Sequence, residues 1–414
     1  MNAPSKIQML EATRLTREGR LHEAMAVLRR ALAGGPASPV ADEASDRTPP
    51  ALDMVPPSPA TGDAWTVRQS GAANAVSTRI SMSGARLPDA LGGFLDRLAQ
   101  GGGARGLDGL AGLTVARAPL PIPDGARFDD RSYANAAGSR AYKLYVPSGY
   151  QGQALPLVVM LHGCTQSPDD FAAGTRMNDL AEEQMFFVAY PAQAQSANAS
   201  RCWNWFNAGD QERDKGEPSL IAGITRQIMR DFPVEPGRVY IAGLSAGGAA
   251  AAIMGSTYPD LYAAIGVHSG LACGVASDIP SAFAAMRQGR FPAVDGSHRD
   301  GRSGGAVPTI VFHGDRDTIV NPLNGDQVIA QSKAGAVLRT TVSRGEAPGE
   351  ISYTRIVQAD EDGRPMLEQW VLHDAGHAWS GGSPAGSYTE PRGPDASREM
   401  MRFFLQHRLL KKCS

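Results

Sequence analysis

From residue 126 to the C-terminus, apolar residues occur in short continuous runs instead of alternating with polar residues. The run LPLVVMLHG at 155–163 has the length of a buried strand. Segments between such runs repeat their apolar positions every three or four residues, which predicts helices. The predicted strands are 141–148, 155–163, 185–191, 238–245, 262–270, 307–315 and 368–377, and the predicted helices are 171–184, 217–232, 246–259 and 395–410. This alternation predicts an α/β domain with a mostly parallel sheet and helices on both faces.

The first 125 residues follow a different pattern. Apolar positions at helical spacing over 5–33, interrupted by Gly19, predict a small helical hairpin over 1–34. Its stretch GRLHEAMAVLRRAL resembles half of a tetratricopeptide unit, and one such unit cannot bury its own apolar face. Residues 35–125 are rich in Pro, Gly and Ala and contain few large apolar residues, so we expect a largely disordered linker. Residues 126–414 then form the α/β domain.

The composition excludes several classes of function. A net charge of −2 provides no field that would recruit nucleic acid or an anionic membrane. The longest apolar runs are strand-sized, well below the roughly 20 residues of a transmembrane helix. Four cysteines without a C-x-x-C pair indicate neither a zinc site nor a disulfide framework. The N-terminus lacks the order of charged, apolar and small residues that marks a secretory signal, so we expect a cytoplasmic location.

A possible nucleophile lies in the stretch IAGLSAGGAA at 241–250, where Ser245 stands in the pattern G-x-S-x-G. The pattern alone is weak evidence, because the chain contains 47 glycines. Its context is specific, because a buried strand is predicted before the serine and a small-residue helix after it, as a nucleophile elbow requires. The start of that helix offers free N–H groups and a positive dipole end. We therefore predict Ser245 as the nucleophile and the N–H of Ala246 as a donor to an oxyanion.

A serine nucleophile needs a base and a group that orients the base. In this type of fold, the serine, the acid and the histidine follow in that order on loops at the C-terminal ends of strands. The last predicted strand offers His373 and His377; we favour His377, which lies in the loop, whereas His373 lies inside the apolar run. The strand before it offers Asp315 and Asp317. We favour Asp317, which lies further into the loop, over Asp315, which is placed to brace the turn.

The second oxyanion donor is expected in the loop after an early strand. Cys164 follows His162 and Gly163 at the end of the run 155–163, so its backbone N–H is the candidate, and His162 is then a brace of this loop. All parts occur in the required order at predicted strand ends, where open α/β sheets place their ligands. The chain is therefore predicted to be a serine hydrolase.

Several longer stretches together resemble the esterase family of poly(3-hydroxybutyrate) depolymerases, an α/β-hydrolase branch related to feruloyl and acetylxylan esterases. They are LHGCTQSPDDFAAGTRMNDLAEEQMFFVAYPAQ, CWNWF, GLSAGGAAA, HGDRDTIVNP and GHAWSGG, and the resemblance covers roughly 125–410. It implies an α/β-hydrolase fold, a triad of Ser245, Asp317 and His377, oxyanion donors at Cys164 and Ala246, an acyl-enzyme, and no metal or organic cofactor.

The resemblance also implies a disulfide between Cys164 and Cys202. A disulfide requires an oxidising compartment, which conflicts with the expected cytoplasmic location and leaves the redox state of the pair open. An extracellular location is the alternative that the family implies.

The substrate implied by the resemblance is poly(3-hydroxybutyrate)-type polyester or its oligomers. Trp203, Trp205 and Trp379 are candidates to line the ester-binding cleft, although Trp203 and Trp205 could equally be core anchors under a long loop. The helices of residues 5–33 are a candidate contact with a polymer granule. The alternatives are an acetylxylan or feruloyl type of carbohydrate esterase, an acyltransferase with a non-water acceptor, and a non-catalytic binding scaffold.

Overall fold

The computed structural model of the chain describes residues 54–55, 66–67, 121–289, 307–333 and 335–409. The chain divides into two compact units, Met1–Gly84 and Ala85–Ser414. In the first unit, strands β1 (Met54–Val55) and β2 (Thr66–Val67) pair antiparallel. The predicted helical hairpin over 1–34 and most of the predicted linker over 35–125 lie outside the described residues, so that division of the chain stays a prediction.

The second unit is built on a ten-stranded sheet in the order β10-β11-β12-β9-β8-β7-β5-β6-β4-β3. Its strands are β3 (Arg127–Asn135), β4 (Gly138–Val146), β5 (Leu155–Leu161), β6 (Phe187–Pro191), β7 (Val234–Leu244), β8 (Ala264–His268), β9 (Thr309–Gly314), β10 (Arg339–Glu346), β11 (Ser352–Ala359) and β12 (Pro365–Leu372). The six strands from β12 to β6 in this order run parallel, and antiparallel pairs extend both edges. A separate parallel pair joins β13 (Trp379–Ser380) to β14 (Thr389–Glu390).

Helices cover both faces of this sheet. They are α1 (Pro168–Thr175), α2 (Met177–Gln184), α3 (Gly216–Asp231), α4 (Ala246–Thr257), α5 (Ile279–Gln288), α6 (Leu323–Lys333) and α7 (Ala396–Phe404). In β5, Leu157 and Val159 belong to the apolar cluster on one face, whereas Val158 and Met160 belong to the cluster on the other. Both faces of the strand are therefore buried, which explains its continuous apolar run and confirms the predicted α/β class.

The structure departs from the predicted elements in two ways. The single helix predicted over 171–184 is two helices, because Arg176 between them adopts a left-handed conformation (φ 53°) that ends the first helix. The edge strands β3, β10 and β11, and the helices α5 and α6, were not predicted. Nearly every residue of β10 is exposed, so this strand carries no apolar run that a sequence pattern could reveal.

The order of the central strands determines where the predicted site residues lie. Strands β5, β7, β8, β9 and β12 are consecutive neighbours and parallel, so their C-terminal ends share one edge of the sheet. The loops after β5, β7, β9 and β12 carry the residues that the sequence singles out. None of the helices in the described ranges has the length and apolar character that a membrane span needs.

Candidate active site

Ser245 occupies a sharp turn between the end of β7 and the start of α4. Its backbone has φ 57° and ψ −118°, a conformation that is sterically unfavourable for a residue with a side chain. The turn is closely packed, because a Cβ atom on Gly243 would collide with the carbonyl oxygen of Gly247, and one on Gly247 with that of Leu161. The N–H of Ser245 donates to the carbonyl oxygen of His268 at 2.9 Å. This is the geometry of a nucleophile elbow.

The two predicted oxyanion donors belong to the same cavity as Ser245. Cys164 and Ala246 both line it. Ala246 is the first residue of α4, so its N–H has no acceptor within the helix. Among the described backbone contacts outside helices and strands, none uses the N–H of Cys164. Both groups are thus available to a ligand at Ser245.

Asp317 lies in the loop after β9, and its carboxylate is fully occupied. Its Oδ2 atom is 2.7 Å from Nδ1 of His377, and its Oδ1 atom accepts hydrogen bonds from the N–H groups of Ile319 and Val320, both at 2.9 Å. Burial alone would raise the pKa of Asp317, but the interactions with His377 and His313 outweigh it and hold that pKa well below its ordinary value. Asp317 is therefore ionised at neutral pH and holds the imidazole of His377 in one orientation.

The second ring nitrogen of His377 has a different environment. The side chain is only 6% exposed, and within the described part of the chain its Nε2 atom is buried without a hydrogen-bond partner. With Nδ1–H directed at the carboxylate, Nε2 carries the lone pair. A lone pair without a partner at this position is available to accept a proton.

Sequence reasoning missed His313, which also contacts the acid. Its Nε2 atom lies 2.9 Å from the carbonyl oxygen of Val320 and 3.3 Å from Oδ2 of Asp317. His313 and His377 therefore both contact the Oδ2 atom of Asp317. The available signal was the spacing: a histidine at the end of a buried strand, four residues before the acid on the same turn.

Asp315 and His373, the alternatives left open by the sequence, form a second pair. Asp315 Oδ2 is 3.0 Å from Nδ1 of His373, and its Oδ1 atom accepts the N–H of Asp374 at 2.8 Å. The Nε2 atom of His373 lies 2.9 Å from the hydroxyl of Thr354 on β11. Both side chains of the pair are 36% exposed. Asp315 thus braces the turn that precedes His377.

A mostly apolar cavity adjoins Ser245. One wall is α5, which contributes Ile279, Ala282, Phe283 and Met286; other lining residues are Asn198, Ser200, Cys202, Trp205, Phe206, Leu271 and Val320. No carboxylate or cationic side chain is among them. The cavity therefore suits an apolar group attached to the ester that Ser245 would attack.

The three tryptophans proposed from the sequence have different positions. Trp205 lines the cavity, as expected of a cleft residue. Trp203 does not, which corrects that expectation: it is fully buried, and its indole N–H donates to the carbonyl oxygen of His162 at 3.0 Å. Trp379 is also buried away from the cavity, stacks on His268 and donates to Ser397 at 3.1 Å. Both satisfy their indole N–H inside the core, so they stabilise the fold around the site.

The loop that carries Cys164 is held from several sides. Cys164 and Cys202 form a disulfide. His162 receives the N–H of Gln193 on Nε2 at 3.1 Å, and its Nδ1–H donates to the carbonyl oxygen of Gly163 at 2.8 Å. Burial lowers the pKa of His162 to about 4, so its ring is neutral at neutral pH. His162 is a brace of the loop, in agreement with its expected role.

In the described ranges, no group of three or more His, Cys, Asp or Glu side chains is arranged to hold a metal ion.

Comparison with known proteins agrees with this geometry. Residues 140–350, about half of the chain, match the family described as Esterase PHB depolymerase. The chain belongs to this family. A poly(3-hydroxyalkanoate) depolymerase C of Paucimonas lemoignei is 34% identical over 239 residues, which is 56% of this chain and 57% of that protein. The acetylxylan esterase A of Talaromyces purpureogenus is 29% identical over 202 residues, or 46% of this chain and 52% of that protein.

The chain thus spans little more than half the length of these two relatives. Among solved structures, the acetyl xylan esterase from Aspergillus awamori superposes with a TM-score of 0.53 at 19% identity, covering 67% of this chain and 99% of that one. At this identity the likeness concerns the fold alone, and it confirms the α/β-hydrolase fold that the motifs imply.

Proposed function

We propose that this protein is a serine esterase in which Ser245, His377 and Asp317 hydrolyse a carboxylic ester through an acyl-enzyme. The observation that carries the proposal is the state of His377. Asp317 holds its Nδ1 atom at 2.7 Å, and its buried Nε2 atom has no partner in the described chain. An imidazole oriented in this way, in a loop at the same sheet edge as a serine on a nucleophile elbow, is equipped to accept the serine proton.

The reaction follows from these positions. The Oγ atom of Ser245 attacks the ester carbonyl carbon while Nε2 of His377 takes its proton. The N–H groups of Cys164 and Ala246 donate to the oxyanion that forms. His377 then gives the proton to the leaving alcohol oxygen as the C–O bond breaks. A water molecule, deprotonated by His377, attacks the acyl-enzyme and releases the acid, with the proton returning to Ser245. Asp317 remains ionised throughout and stabilises the imidazolium.

For the substrate, we propose a poly(3-hydroxybutyrate)-type polyester or its oligomers. Such a chain combines frequent ester groups with small apolar branches and carries no charge along its length. The cavity fits this chemistry, because Ile279, Phe283 and Met286 provide apolar walls and none of the described lining side chains is charged. The similarity to the poly(3-hydroxyalkanoate) depolymerase C of Paucimonas lemoignei supports the same class.

A feruloyl-type carbohydrate ester is the second candidate. Trp205 and Phe206 lie side by side in the cavity wall with ring centroids 5.7 Å apart, which is a suitable surface for an aromatic acyl group. A sugar on the leaving-group side would require polar partners for its hydroxyls, and Asn198 and Ser200 are the polar side chains, apart from Ser245 and the cysteines, in this lining. The polyester is favoured because the lining is mostly apolar.

One assay separates these proposals. Purified protein and the Ser245→Ala variant are compared on p-nitrophenyl butyrate, 3-hydroxybutyrate oligomers, amorphous poly(3-hydroxybutyrate), a feruloyl ester and acetylated xylan. We expect hydrolysis of the butyrate ester and the oligomers that is lost in the variant, with the oligomers preferred over both carbohydrate esters. Wild-type activity that persists in Ser245→Ala, or that is absent on every ester, would contradict the esterase proposal. A preference for the feruloyl ester would overturn only the choice of substrate.

Two further proposals concern location and polymer contact. We propose that the catalytic unit works in an oxidising, extracellular compartment instead of the expected cytoplasm, because Cys164 and Cys202 are bridged. Titration of thiols in freshly isolated, denatured protein should find this pair oxidised; a reduced pair would return the location to the cytoplasm.

The apolar positions over 5–33 support a contact with polymer granules, and unchanged granule binding after deletion of 1–34 would reject that contact.

A further inference from the structure

A buried carboxylate outside the triad lies at the centre of an extended polar network. Glu217, in the first turn of α3, is only 5% exposed. Its Oε1 atom accepts from Arg140 at 3.3 Å, from the side-chain amide of Gln193, and from that of Asn204 at 2.8 Å. Its Oε2 atom accepts the backbone N–H of Asn204 at 2.7 Å. Both oxygens act only as acceptors, which is the arrangement of an ionised carboxylate.

The first connection from Glu217 to the site passes through Gln193. The side-chain oxygen of Gln193 accepts from Nε of Arg140 at 2.9 Å, so this amide is held at both ends. The backbone N–H of the same residue donates to Nε2 of His162. The other ring nitrogen of His162 donates to the carbonyl oxygen of Gly163, the residue directly before Cys164. A shift of Gln193 would therefore move the peptide that presents the N–H of Cys164.

The second connection passes through Asn204. Its side-chain oxygen accepts from Asn198 at 2.9 Å, and Asn198 in turn accepts the N–H groups of Ser200 and Cys202, at 3.0 and 3.3 Å. Ser200 then accepts the N–H of Thr165 through its carbonyl oxygen at 2.7 Å. The disulfide joins Cys202 to Cys164 covalently. The two connections thus reach Cys164 from both sides.

We infer that Glu217 is a positioning residue for the oxyanion hole: through Gln193 and Asn204 it fixes the backbone N–H of Cys164 at the reacting carbonyl. Glu217 is not among the residues that line the cavity beside Ser245. Its contribution is to keep a donor in place before charge develops on the carbonyl oxygen, which is what makes such donors effective. This inference rests on the proposed esterase function.

The test compares two buried carboxylates of the same unit. Glu217→Gln keeps the size of the side chain but places an amide group against the donors of Gln193 and Asn204. Glu368→Gln is the matched control, because Glu368 is fully buried on β12 and binds Arg355, Arg402 and Trp370, none of which contacts the loop of Cys164. Active protein is counted with a fluorophosphonate that labels Ser245, so that rates refer to folded enzyme.

Loss of one oxyanion donor costs about 10²–10³ in kcat, so a displaced donor in Glu217→Gln should lower kcat for p-nitrophenyl butyrate roughly 10- to 100-fold. KM should stay within about twofold, because ground-state binding does not use the oxyanion. The inhibition constant of an alkylboronic acid, which forms a tetrahedral adduct on the serine, should rise in parallel with the loss of kcat/KM. Glu368→Gln should leave both kcat per labelled site and the inhibition constant of the boronic acid unchanged.

Equal kcat values per labelled site in Glu217→Gln and Glu368→Gln would overturn the inference. If Glu217→Gln does not fold, Gln193→Met removes the side chain of the first connection, together with its hydrogen bond to the carbonyl oxygen of Cys202, and leaves Glu217 and Asn204 in place. It should show a smaller loss of kcat with the same change in boronic acid binding. An unchanged kcat in a folded Gln193→Met variant would likewise reject it. Failure of the proposed function is distinguishable, because in that case Ser245→Ala would retain activity or the wild type would hydrolyse no ester.

Discussion

Two aspartate–histidine pairs lie at the ends of the same two strands, and only the inner pair belongs to the proposed catalytic triad. In the inner pair, Asp317 meets Nδ1 of His377 at 2.7 Å; in the outer pair, Asp315 meets Nδ1 of His373 at 3.0 Å. The pairing atoms and the order along the chain are the same. The pairs differ in burial and in the state of the second imidazole nitrogen.

The side chains of the inner pair are 0% and 6% exposed, whereas both side chains of the outer pair are 36% exposed. Water screens the outer pair, and exposed ion pairs contribute little free energy. The Nε2 atom of His373 is engaged by Thr354, but that of His377 has no partner in the described chain. Both pairs have a short Asp–His contact, so burial and the state of Nε2 are the features that set the proposed catalytic pair apart.

Replacement of each histidine by alanine should produce the largest difference in activity between the two pairs. His377→Ala removes the proposed base and should lower kcat/KM for p-nitrophenyl butyrate by roughly 10⁴-fold or more. His373→Ala should leave it within about threefold, because that imidazole lies outside the proton path. Steady-state kinetics on both variants decide the question. A loss of comparable size in His373→Ala would mean that the outer pair takes part in the reaction.

Replacement of each aspartate by asparagine should produce a somewhat smaller difference in kcat between the two pairs. Asp317→Asn keeps the shape of the side chain but no longer fixes the tautomer of His377, and kcat should fall by about 10³- to 10⁴-fold. Asp315→Asn retains a hydrogen-bond acceptor for the N–H of Asp374, so its kcat should fall less than about threefold. The assignment of Asp317 would be wrong if the kcat of Asp317→Asn, measured on titrated active sites, were as high as that of Asp315→Asn.

A buried histidine near the site should also make the stability of the fold depend on pH. Burial lowers the pKa of His162 from 6.5 to about 4. Between these values the unfolded chain binds a proton that the folded chain does not, so the free energy of unfolding decreases as the pH falls. The loss from pH 6.5 to pH 4 should reach about 3 kcal/mol.

Urea denaturation at pH 7.5, 5.5 and 4.5 measures this effect. The wild type should lose more stability on acidification than His162→Gln, whose amide does not titrate but can still accept the N–H of Gln193. Parallel curves for the wild type and His162→Gln would show that His162 is not buried as a neutral ring.

Replacement of the further residue that contacts each pair, His313 in the inner pair and Thr354 in the outer pair, should have the smallest effect on kcat. His313→Gln removes the second imidazole in contact with Asp317 and should lower kcat about 10-fold, the equivalent of a weak hydrogen bond to a charged group. Thr354→Val removes the corresponding contact of the outer pair and should leave kcat within about twofold. Kinetics of the two variants side by side provide the check; equal values would remove any role of His313 in holding the acid.

Several parts of the fold could be predicted from the sequence because burial on both faces leaves a continuous apolar run. The run at 155–163 became β5 (Leu155–Leu161), and the predicted helix over 217–232 became α3 (Gly216–Asp231). The hairpin of β10 and β11 could not be predicted in this way. It is an edge of the sheet with little buried surface, so its strands have no hydrophobic signature.

Candidate site residues divide along a similar line. The chain order of serine, acid and histidine, together with strand ends, selects Ser245 and leaves two acids and two histidines, because topology brings strand ends to one edge. Loop position and the family resemblance then favour Asp317 and His377. The environment of an aromatic side chain has no such signal. Trp203 and Trp205 are two residues apart in CWNWF, yet Trp203 lies in the core and Trp205 in the cavity wall. The network of Glu217 could not be predicted from the sequence, because its partners come from distant parts of the chain.

The central claim is that Ser245 forms the acyl-enzyme, and trapping that intermediate tests it most directly. Protein is mixed with p-nitrophenyl butyrate, quenched in acid during turnover, digested and examined by mass spectrometry. We predict a butyryl group on the peptide that contains Ser245 in the wild type and none in Ser245→Ala. Butyryl modification of a different residue during turnover, or turnover by Ser245→Ala at the wild-type rate, would contradict the claim.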